Sequence, residues 1–214
     1  DRITEPEVMN DAEQVRSYVK AYEWGGPTSA LQLHHIKELS LMIRSGDTIV
    51  DLACGPGPLL LELAELYPEC QFIGVDLAPL MLAHLESEAA KKTLKNVRTL
   101  KADIRHLKTS DLNGGADLLI STSALHHLPE TKDLKKVFET VASILKPNTN
   151  LGKGTVGAGI YIFDFGLLRS HKTRKILVQD LSHKAPPLTT QDYDVSLQAC
   201  FPLKTVFEFA VAAL

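Results

Sequence analysis

A glycine turn at the end of an apolar strand is the feature of this sequence that points to chemistry. Residues 49–57 read Ile-Val-Asp-Leu-Ala-Cys-Gly-Pro-Gly, so a strand that carries Asp51 runs into a turn that contains Gly55 and Gly57. Glycine lets the backbone approach a ligand without a Cβ in the way. Asp76 closes a second apolar strand 19 residues after Gly57, where a carboxylate meets the ribose of a nucleotide. The pattern predicts a nucleotide-like ligand.

The third position of the glycine pattern narrows the ligand class. A dinucleotide site has Gly or Ala there, which brings the helix close to the strand and its amino end onto a pyrophosphate. Here that position is Leu60, whose side chain obstructs this approach. We therefore expect a ligand without a pyrophosphate. Leu60 and the absence of a Tyr-x-x-x-Lys pair both argue against a nicotinamide-dependent dehydrogenase.

Strand patterns alternate with helical ones along the chain. A capping box at Asn10 and Glu13 predicts the start of a first helix, which ends before Gly25. The other predicted elements are helices over 29–43, 58–67, 79–92 and 130–145 and strands over 48–52, 71–75, 97–102, 117–122 and 160–165. Such alternation predicts an α/β fold with a doubly wound, mainly parallel sheet and helices on both faces.

Four acids stand at or just beyond the ends of predicted strands. They are Asp51, Asp76, Asp103 and Asp164. Because crossovers are right-handed and the strands parallel, these ends lie along one rim, where open α/β sheets bind ligands. The series predicts a binding rim.

Residues from about 10 to about 165 resemble the class I S-adenosylmethionine (SAM) dependent methyltransferases. Their first motif reads acidic, apolar, Gly, small, Gly, any, Gly, and here its first glycine is Ala53, which we expect in an ordinary β conformation. Further landmarks are Asp76 after Phe72-Ile-Gly-Val, Asp103 in Lys101-Ala-Asp-Ile, and Asp117-Leu-Leu-Ile-Ser-Thr-Ser-Ala-Leu-His-His-Leu128. The resemblance implies a Rossmann-like methyltransferase fold with SAM as cofactor and S-adenosyl-L-homocysteine (SAH) as product.

The resemblance also implies roles for the nucleoside side of the site. Asp76 would accept hydrogen bonds from both ribose hydroxyls. Asp103 would accept from the adenine amino group while the Ile104 amide donates to the ring. Leu77 and Met81 would flank the adenine, although a helix-packing role is as well supported for each.

On the methionine side, the resemblance implies a second set of contacts. Asp51 would face the ammonium group, and Ser121 and Ser123 would lie against the methionine moiety. The turn at Ala53, Gly55 and Gly57 would pass close to the cofactor.

Two histidines follow the fourth predicted strand, where this family meets its substrate. His127 is a candidate catalytic base, with contact to substrate and no contact equally open, and His126 is expected to have a structural role. Asp164 and Tyr161, around the fifth strand, are weaker catalytic candidates. We expect no metal, because adjacent side chains point apart and no third ligand is suggested.

Composition fits one soluble domain with 44% hydrophobic and 23% charged residues. We divide it into an N-terminal helical segment (1–45), a SAM-binding core (46–165) and a C-terminal helical or lid segment (166–214). Lys plus Arg number 23 against 26 Asp plus Glu, so nothing demands nucleic acid or membrane. Three unpatterned cysteines and no signal peptide make a reducing cytoplasm the default compartment.

A basic run from Arg169 to Lys184 holds five Lys or Arg and two His against the single acid Asp180. It suggests a lid that favours an acidic substrate. The alternative, which we prefer, is a solvated helix face whose apolar side is Ile176, Leu177 and Leu181.

The sequence departs from the family pattern in two places. A Gly-rich stretch over 148–159 precedes the fifth strand, and residues 166–214 look helical where the family adds two antiparallel strands. The chain therefore resembles a fragment, and its fifth strand would be an open edge that a homo-oligomer could cover. We expect a SAM-dependent methyltransferase acting on a small molecule; the alternative from another class is a non-catalytic SAM-fold binding or regulatory subunit.

Overall fold

A computed structural model describes residues 2–9, 11–23, 25–147 and 158–214. In these residues the centre of the fold is a five-stranded parallel sheet in the order β3-β2-β1-β4-β5. The strands are β1 (Thr48–Leu52), β2 (Gln71–Asp76), β3 (Val97–Lys101), β4 (Leu118–Thr122) and β5 (Gly159–Phe163). The predicted parallel sheet is confirmed, and its strand ends form one rim.

Helices cover both faces of the sheet, as the doubly wound class requires. Their bounds are α1 (Ala12–Ala21), α2 (Ser29–Ser40), α3 (Pro58–Leu66), α4 (Pro79–Lys91), α5 (Thr131–Ile144), α6 (His171–Ser182), α7 (Pro187–Ala199) and α8 (Leu203–Ala213), with 3₁₀ turns at Thr109–Leu112 and Leu125–His127. Along β1, Ile49 packs into the core under α2, α3 and α4, whereas Val50 packs into the core on the side of α5. Both faces of the strand are buried, which explains its unbroken apolar pattern.

The first helix begins one residue later than the sequence indicates. Asn10, the predicted cap, lies outside the described residues. The N-cap is Asp11, whose Oδ1 accepts hydrogen bonds from the backbone N–H groups of Glu13 and Gln14 at 2.9 and 3.0 Å. A side-chain cap at the start of this helix was therefore predicted correctly, but the capping residue was placed one position too early.

Leu60, which the sequence argument set against a dinucleotide, is buried in the core between α3 and the sheet. A Cβ on Gly74 of β2 would lie 2.7 Å from Leu85 Cδ2 and 2.9 Å from Cys54 Sγ, but at an ordinary contact distance of 3.4 Å from Leu60 Cδ1. The missing side chain at Gly74 thus makes room for Leu85 and Cys54.

The C-terminal segment is helical, as predicted. Residues 171–213 of the described chain form α6, α7 and α8, and no antiparallel strand pair occurs among the described residues. Most of the Gly-rich stretch, 148–157, lies outside the described residues. Within the described part of the chain, no single helix is long and apolar enough to cross a membrane; the pair α7 and α8, bent by 67°, meets the length and composition test only jointly.

Candidate active site

The glycine turn takes a conformation that the sequence analysis did not anticipate at its first position. Ala53 has a φ of +57°, beside +55° at Gly55 and +71° at Gly57. The expectation of an ordinary β conformation at Ala53 is therefore wrong. The turn is tied to β2 by a hydrogen bond from the Cys54 amide to the Val75 carbonyl at 3.0 Å. A left-handed conformation costs an L-residue about 1–2 kcal/mol, so the surrounding contacts hold Ala53 in a strained state.

Asp76 joins the glycine turn to the loop that follows β2. Its Oδ2 accepts from the Gly55 amide and its Oδ1 from the Ala78 amide, both at 2.8 Å. Each carboxylate oxygen has two lone pairs, so both oxygens can accept one further hydrogen bond. Asp76 is thus held rigidly with acceptor capacity to spare.

Gly57 serves packing more directly than ligand approach. It is the N-cap of α3, and a Cβ there would lie 2.5 Å from Leu85 Cδ1 on α4. A Cβ on Gly55, in contrast, would meet only Tyr18 Cε1, at 3.9 Å. The two glycines therefore have different roles. Gly57 lets α3 and α4 pack close to each other, and Gly55 leaves open space beside the turn.

A cleft of about 730 Å³ opens at the carboxyl ends of the strands. We call it the nucleoside cleft. It brings together nine of the predicted site residues: Ala53, Gly55, Asp76, Leu77, Met81, Asp103, Ile104, Ser123 and His127. Asp51, Gly57, Ser121 and Asp164 are not among its lining residues. The cleft has the mostly apolar lining, with a few polar groups, of a small-ligand site.

Asp51 lies in the interior near the cleft. Its side chain is almost completely buried, with the residue 3% exposed, and Oδ1 has no hydrogen-bond partner among the described residues. Burial, with a further contribution from the charge of Asp76, raises the pKa of Asp51 from 3.8 to about 8. A buried acid without a partner is costly, and a cation placed against it would relieve that cost.

Asp103 is held by an arginine that binds several acids. Arg105 donates to both Asp103 oxygens at 2.7–3.0 Å and also pairs with Glu7 and Asp133. Burial acts to raise the pKa of Asp103, but the hydrogen bonds and charge of Arg105 outweigh it and leave the pKa below its ordinary value. Asp103 is therefore an ionised acceptor fixed at the edge of the nucleoside cleft.

The two predicted serines differ in their surroundings. Ser121 is buried and its Oγ donates to the Leu52 carbonyl at 3.2 Å, away from the cleft. Ser123 has a φ of +51° and its amide donates to the Phe163 carbonyl at 2.8 Å, so its side chain reaches the cleft. Of the pair, the structure places only Ser123 where it can contact a ligand.

A second cavity adjoins the nucleoside cleft and has about 1040 Å³ of open space. We call it the acceptor cavity. It shares Met9, Tyr18, Ser123 and His127 with the cleft. Its other lining residues are Ala21, Tyr22, Pro27, Thr28, Leu31, His126, Phe165, Leu177, Asp180, Leu181, Thr189, Asp192, Tyr193 and Ser196. The two spaces are therefore neighbours, and the four shared residues stand between them; we call this place the junction.

No Lys or Arg lines the acceptor cavity in the part of the chain that the structure describes. The basic run forms α6, which turns Leu177 and Leu181 to the cavity, while Lys184 pairs with Asp180 and Arg174 with Asp194. Two of the three residues of the expected apolar side thus face the cavity, whereas Ile176 is exposed, and nothing here supports a basic lid.

The two histidines stand side by side at the junction. His126 is 2% exposed, and Asp164 binds it twice: Oδ1 lies 2.6 Å from Nδ1 and Oδ2 accepts the backbone amide at 2.9 Å. The His126 and His127 rings are only 4.6 Å apart, centroid to centroid, and tilted by 32°. The expectation that their side chains point apart is wrong, because both belong to a 3₁₀ turn.

His127 and Asp164 have different access to a ligand. His127 borders both spaces, its Nδ1 lies 3.0 Å from the Pro6 carbonyl oxygen, and burial followed by the charge of His126 lowers its pKa. Asp164 lines neither space and contacts His126 and the Phe165 amide. Asp164 is therefore placed to orient His126.

The N-terminal segment supplies site residues that sequence reasoning missed. Glu7 and Met9 line the nucleoside cleft, and Glu5 reaches the histidines with its Oε1 3.3 Å from His126 Nε2. Tyr18 of α1 stacks on Tyr22 at 4.5 Å and borders both spaces. The only signal in the sequence was the pair of acids around Pro6 just before the first helix.

Comparison with known proteins agrees with this geometry. The methyltransferase domain family matches residues 49–148. Trans-aconitate 2-methyltransferase of Deinococcus radiodurans is 37% identical over 82 residues, which are 38% of this chain and 28% of that enzyme. Both similarities support a class I SAM-dependent methyltransferase core over residues 49–148. The recognition made from the glycine turn and the strand-end acids is confirmed.

Two further similarities show how much of the chain resembles known methyltransferases. (S)-tetrahydroprotoberberine N-methyltransferase of Eschscholzia californica is 28% identical over 98 residues, 46% of this chain and 27% of that enzyme. The chain thus spans less than a third of the length of both curated relatives. The structure of a SAM-dependent methyltransferase from Aquifex aeolicus has a TM-score of 0.63 at 18% identity and covers 96% of this chain and 88% of that one. That likeness confirms the methyltransferase fold.

Proposed function

We propose that this protein transfers the methyl group of SAM to a small molecule bound in the acceptor cavity. The observation that carries the proposal is the junction of the two spaces at Tyr18, Ser123 and His127. Methyl transfer needs a donor and an acceptor aligned in line, with water kept out. A nucleoside cleft that shares these lining residues with a second, largely apolar cavity fits that need.

The residues of the nucleoside cleft fit SAM. Asp76 has one free lone pair on each oxygen for the two ribose hydroxyls. Asp51 is a buried acid without a partner and would be satisfied by the ammonium group, and Gly55 leaves room for the ligand beside the turn. Asp103 and the Ile104 amide would hold the adenine. The bound cofactor supplies an already activated methyl group.

The protein's own task is then to position the acceptor. His127 borders both spaces and has a lowered pKa, so it is neutral at pH 7 and has a nitrogen lone pair to offer. We place His127 at the reacting atom of the acceptor, with Asp164 as a positioning residue that acts through His126. Tyr18, Tyr22 and Phe165 surround this point with aromatic surface and exclude water.

The lining of the acceptor cavity favours a neutral or cationic acceptor with an apolar body. Asp180 and Asp192 are the charged carboxylates of that lining, and three tyrosines and a phenylalanine supply aromatic faces that attract cations. One curated relative is named for trans-aconitate and another for an N-methyl transfer. This acidic and aromatic lining fits an acceptor of N-methyl transfer better than it fits trans-aconitate.

A cavity-filling pair of variants tests the proposal. Leu177 lines the acceptor cavity but not the nucleoside cleft, so Leu177→Trp should abolish transfer of labelled methyl from SAM to acceptors while SAH affinity stays within twofold. Ile176→Trp is the matched control, because Ile176 is 58% exposed and lines neither space. A screen of amines, alcohols and acids supplies the acceptors.

The screen also separates the proposal from the alternative of a non-catalytic SAM-fold subunit. That alternative predicts SAH binding with no transfer to any acceptor in the wild-type protein. Transfer that survives Leu177→Trp unchanged would place the acceptor elsewhere.

A further inference from the structure

We propose that Glu5, His126 and His127 bind one divalent metal ion of the zinc class beside the acceptor cavity. One ligand atom from each of the three residues lies within 4.8 Å of the other two. Glu5 Oε1 is 3.3 Å from His126 Nε2 and 3.7 Å from His127 Nδ1. Tetrahedral coordination with bonds of about 2.0–2.1 Å separates ligand atoms by about 3.3 Å, so the cluster is close to the geometry that the ion requires.

A buried carboxylate oxygen without a partner is the second observation. The Glu5 side chain is 6% exposed, and its Oε1 has no hydrogen-bond partner among the described residues. Glu5 lies 121 positions before His126 in the chain, so the fold has brought an acid from the N-terminal segment into the interior next to two imidazoles. A buried acceptor of this kind requires a donor or a cation.

The surroundings hold the His126 ring as a ligand is held in a metal site. Asp164 Oδ1, 2.6 Å from His126 Nδ1, fixes the tautomer that leaves Nε2 free and facing Glu5. A carboxylate partner behind a ligating histidine is usual in metal sites. His127 Nδ1 donates to the Pro6 carbonyl oxygen at 3.0 Å, so coordination through this nitrogen would move its proton to Nε2 and replace that hydrogen bond.

Charge balance also asks for a cation here. Glu5 and Asp164 bring two carboxylates to the cluster, and the neighbouring cation is the guanidinium of Arg2, which binds the carbonyls of His126, Leu128 and Pro129. These three groups leave a net negative charge at the cluster, which favours the binding of a cation.

Two histidines and one carboxylate are the ligand set of catalytic zinc sites, which keep a further position open. His126 and His127 both line the acceptor cavity, so the open position faces the acceptor. On the proposed function, the ion would there bind the nitrogen or oxygen of the acceptor and favour loss of its proton. His127 would then act on the reacting atom through the metal.

Direct metal binding tests the site without any activity measurement. Tag-free protein is treated with a chelator and titrated with Co²⁺, in the absence of cofactor and acceptor, by visible absorption and calorimetry, followed by competition with Zn²⁺. We expect one saturable ion per chain. Glu5→Gln should weaken Co²⁺ binding at least tenfold, and Asp164→Asn 10- to 100-fold, the usual effect of losing a second-layer partner.

Controls separate a lost site from a damaged fold. His34→Ala, at an exposed histidine on α2, should bind Co²⁺ like the wild type. Circular dichroism and SAH affinity are measured on every variant. Absence of saturable binding, or binding by folded Glu5→Gln at wild-type affinity, would overturn the metal site. Failure of SAH to bind would count against the proposed function instead.

Discussion

The buried Asp51 should make the stability of the ligand-free protein fall as pH rises. Its pKa is raised by burial from 3.8 to about 8, so between these values the unfolded chain has an ionised carboxylate where the folded protein has a neutral carboxyl. The contribution of Asp51 to the free energy of unfolding is therefore most favourable below about pH 4 and is lost as pH rises to about 8. Asp51→Asn keeps the size of the side chain and removes its titration. The free energy of unfolding of this variant, relative to the wild type, should therefore increase as pH rises from about 4 to about 8.

The size of the effect follows from the shift. At 1.36 kcal/mol per pKa unit, Asp51 costs the fold about 1.6 kcal/mol at pH 5 and about 5 kcal/mol at pH 8. The free energy of unfolding of Asp51→Asn relative to the wild type should therefore rise by up to about 4 kcal/mol from pH 5 to pH 8, and by at least about 2 kcal/mol if local opening hydrates the carboxylate.

Urea denaturation of both proteins at four values from pH 5 to pH 8 measures this difference. Glu69→Gln, at an exposed carboxyl before β2, is the control and should show no pH-dependent gain. A difference between Asp51→Asn and the wild type that stays constant over this range would refute the reasoning, because Asp51 would then be ionised in the folded protein. If SAH places its ammonium against Asp51, binding at pH 7 should also release about 0.9 proton, detected as a dependence of the binding enthalpy on the buffer.

Three further variants test single parts of the account. Ala53→Gly should raise the unfolding free energy in urea by about 0.5–1 kcal/mol, since release of the left-handed strain exceeds the entropy cost of glycine; a loss of stability would argue that the Ala53 Cβ packs favourably. Asp76→Ala should weaken SAH binding at least tenfold in calorimetry, because two hydrogen bonds to a charged acceptor are lost, and normal binding by the folded variant would assign the ribose to another residue. Arg169→Gln with Lys172→Gln should leave KM and its salt dependence unchanged, since neither residue lines the acceptor cavity, and a raised KM for an acidic acceptor would restore the basic-lid hypothesis.

The parts of the fold that repeat a local pattern were predictable from the sequence. Strands such as Thr48–Leu52 are continuous apolar runs between turn residues, and the strand-end acids follow from the parallel order of the sheet. For this reason the rim that holds Asp76 and Asp103 was found without coordinates. Boundaries differed by at most three residues, because the last residue of an element depends on its cap.

The parts that depend on distant contacts could not be predicted. Glu5 lies close to His126, which comes more than a hundred residues later in the chain, and no local sequence pattern predicts that contact. The conformation of Ala53 is imposed by hydrogen bonds between the turn and β2. The relative direction of the two histidine rings depends on a 3₁₀ turn, which a sequence argument about alternating side chains does not foresee. The site was therefore predicted on its nucleoside side and missed where the N-terminal segment folds over it.

The most direct test of the central claim is a calorimetric comparison of SAH with NAD on the same protein. The account predicts that SAH binds in a one-to-one complex, far more tightly than NAD, because the nucleoside cleft offers Asp76 to a ribose and the buried Asp51 near the cleft has an oxygen without a partner for an ammonium group. The affinity for SAH should fall in Asp76→Ala. Binding of NAD more tightly than SAH would contradict the account.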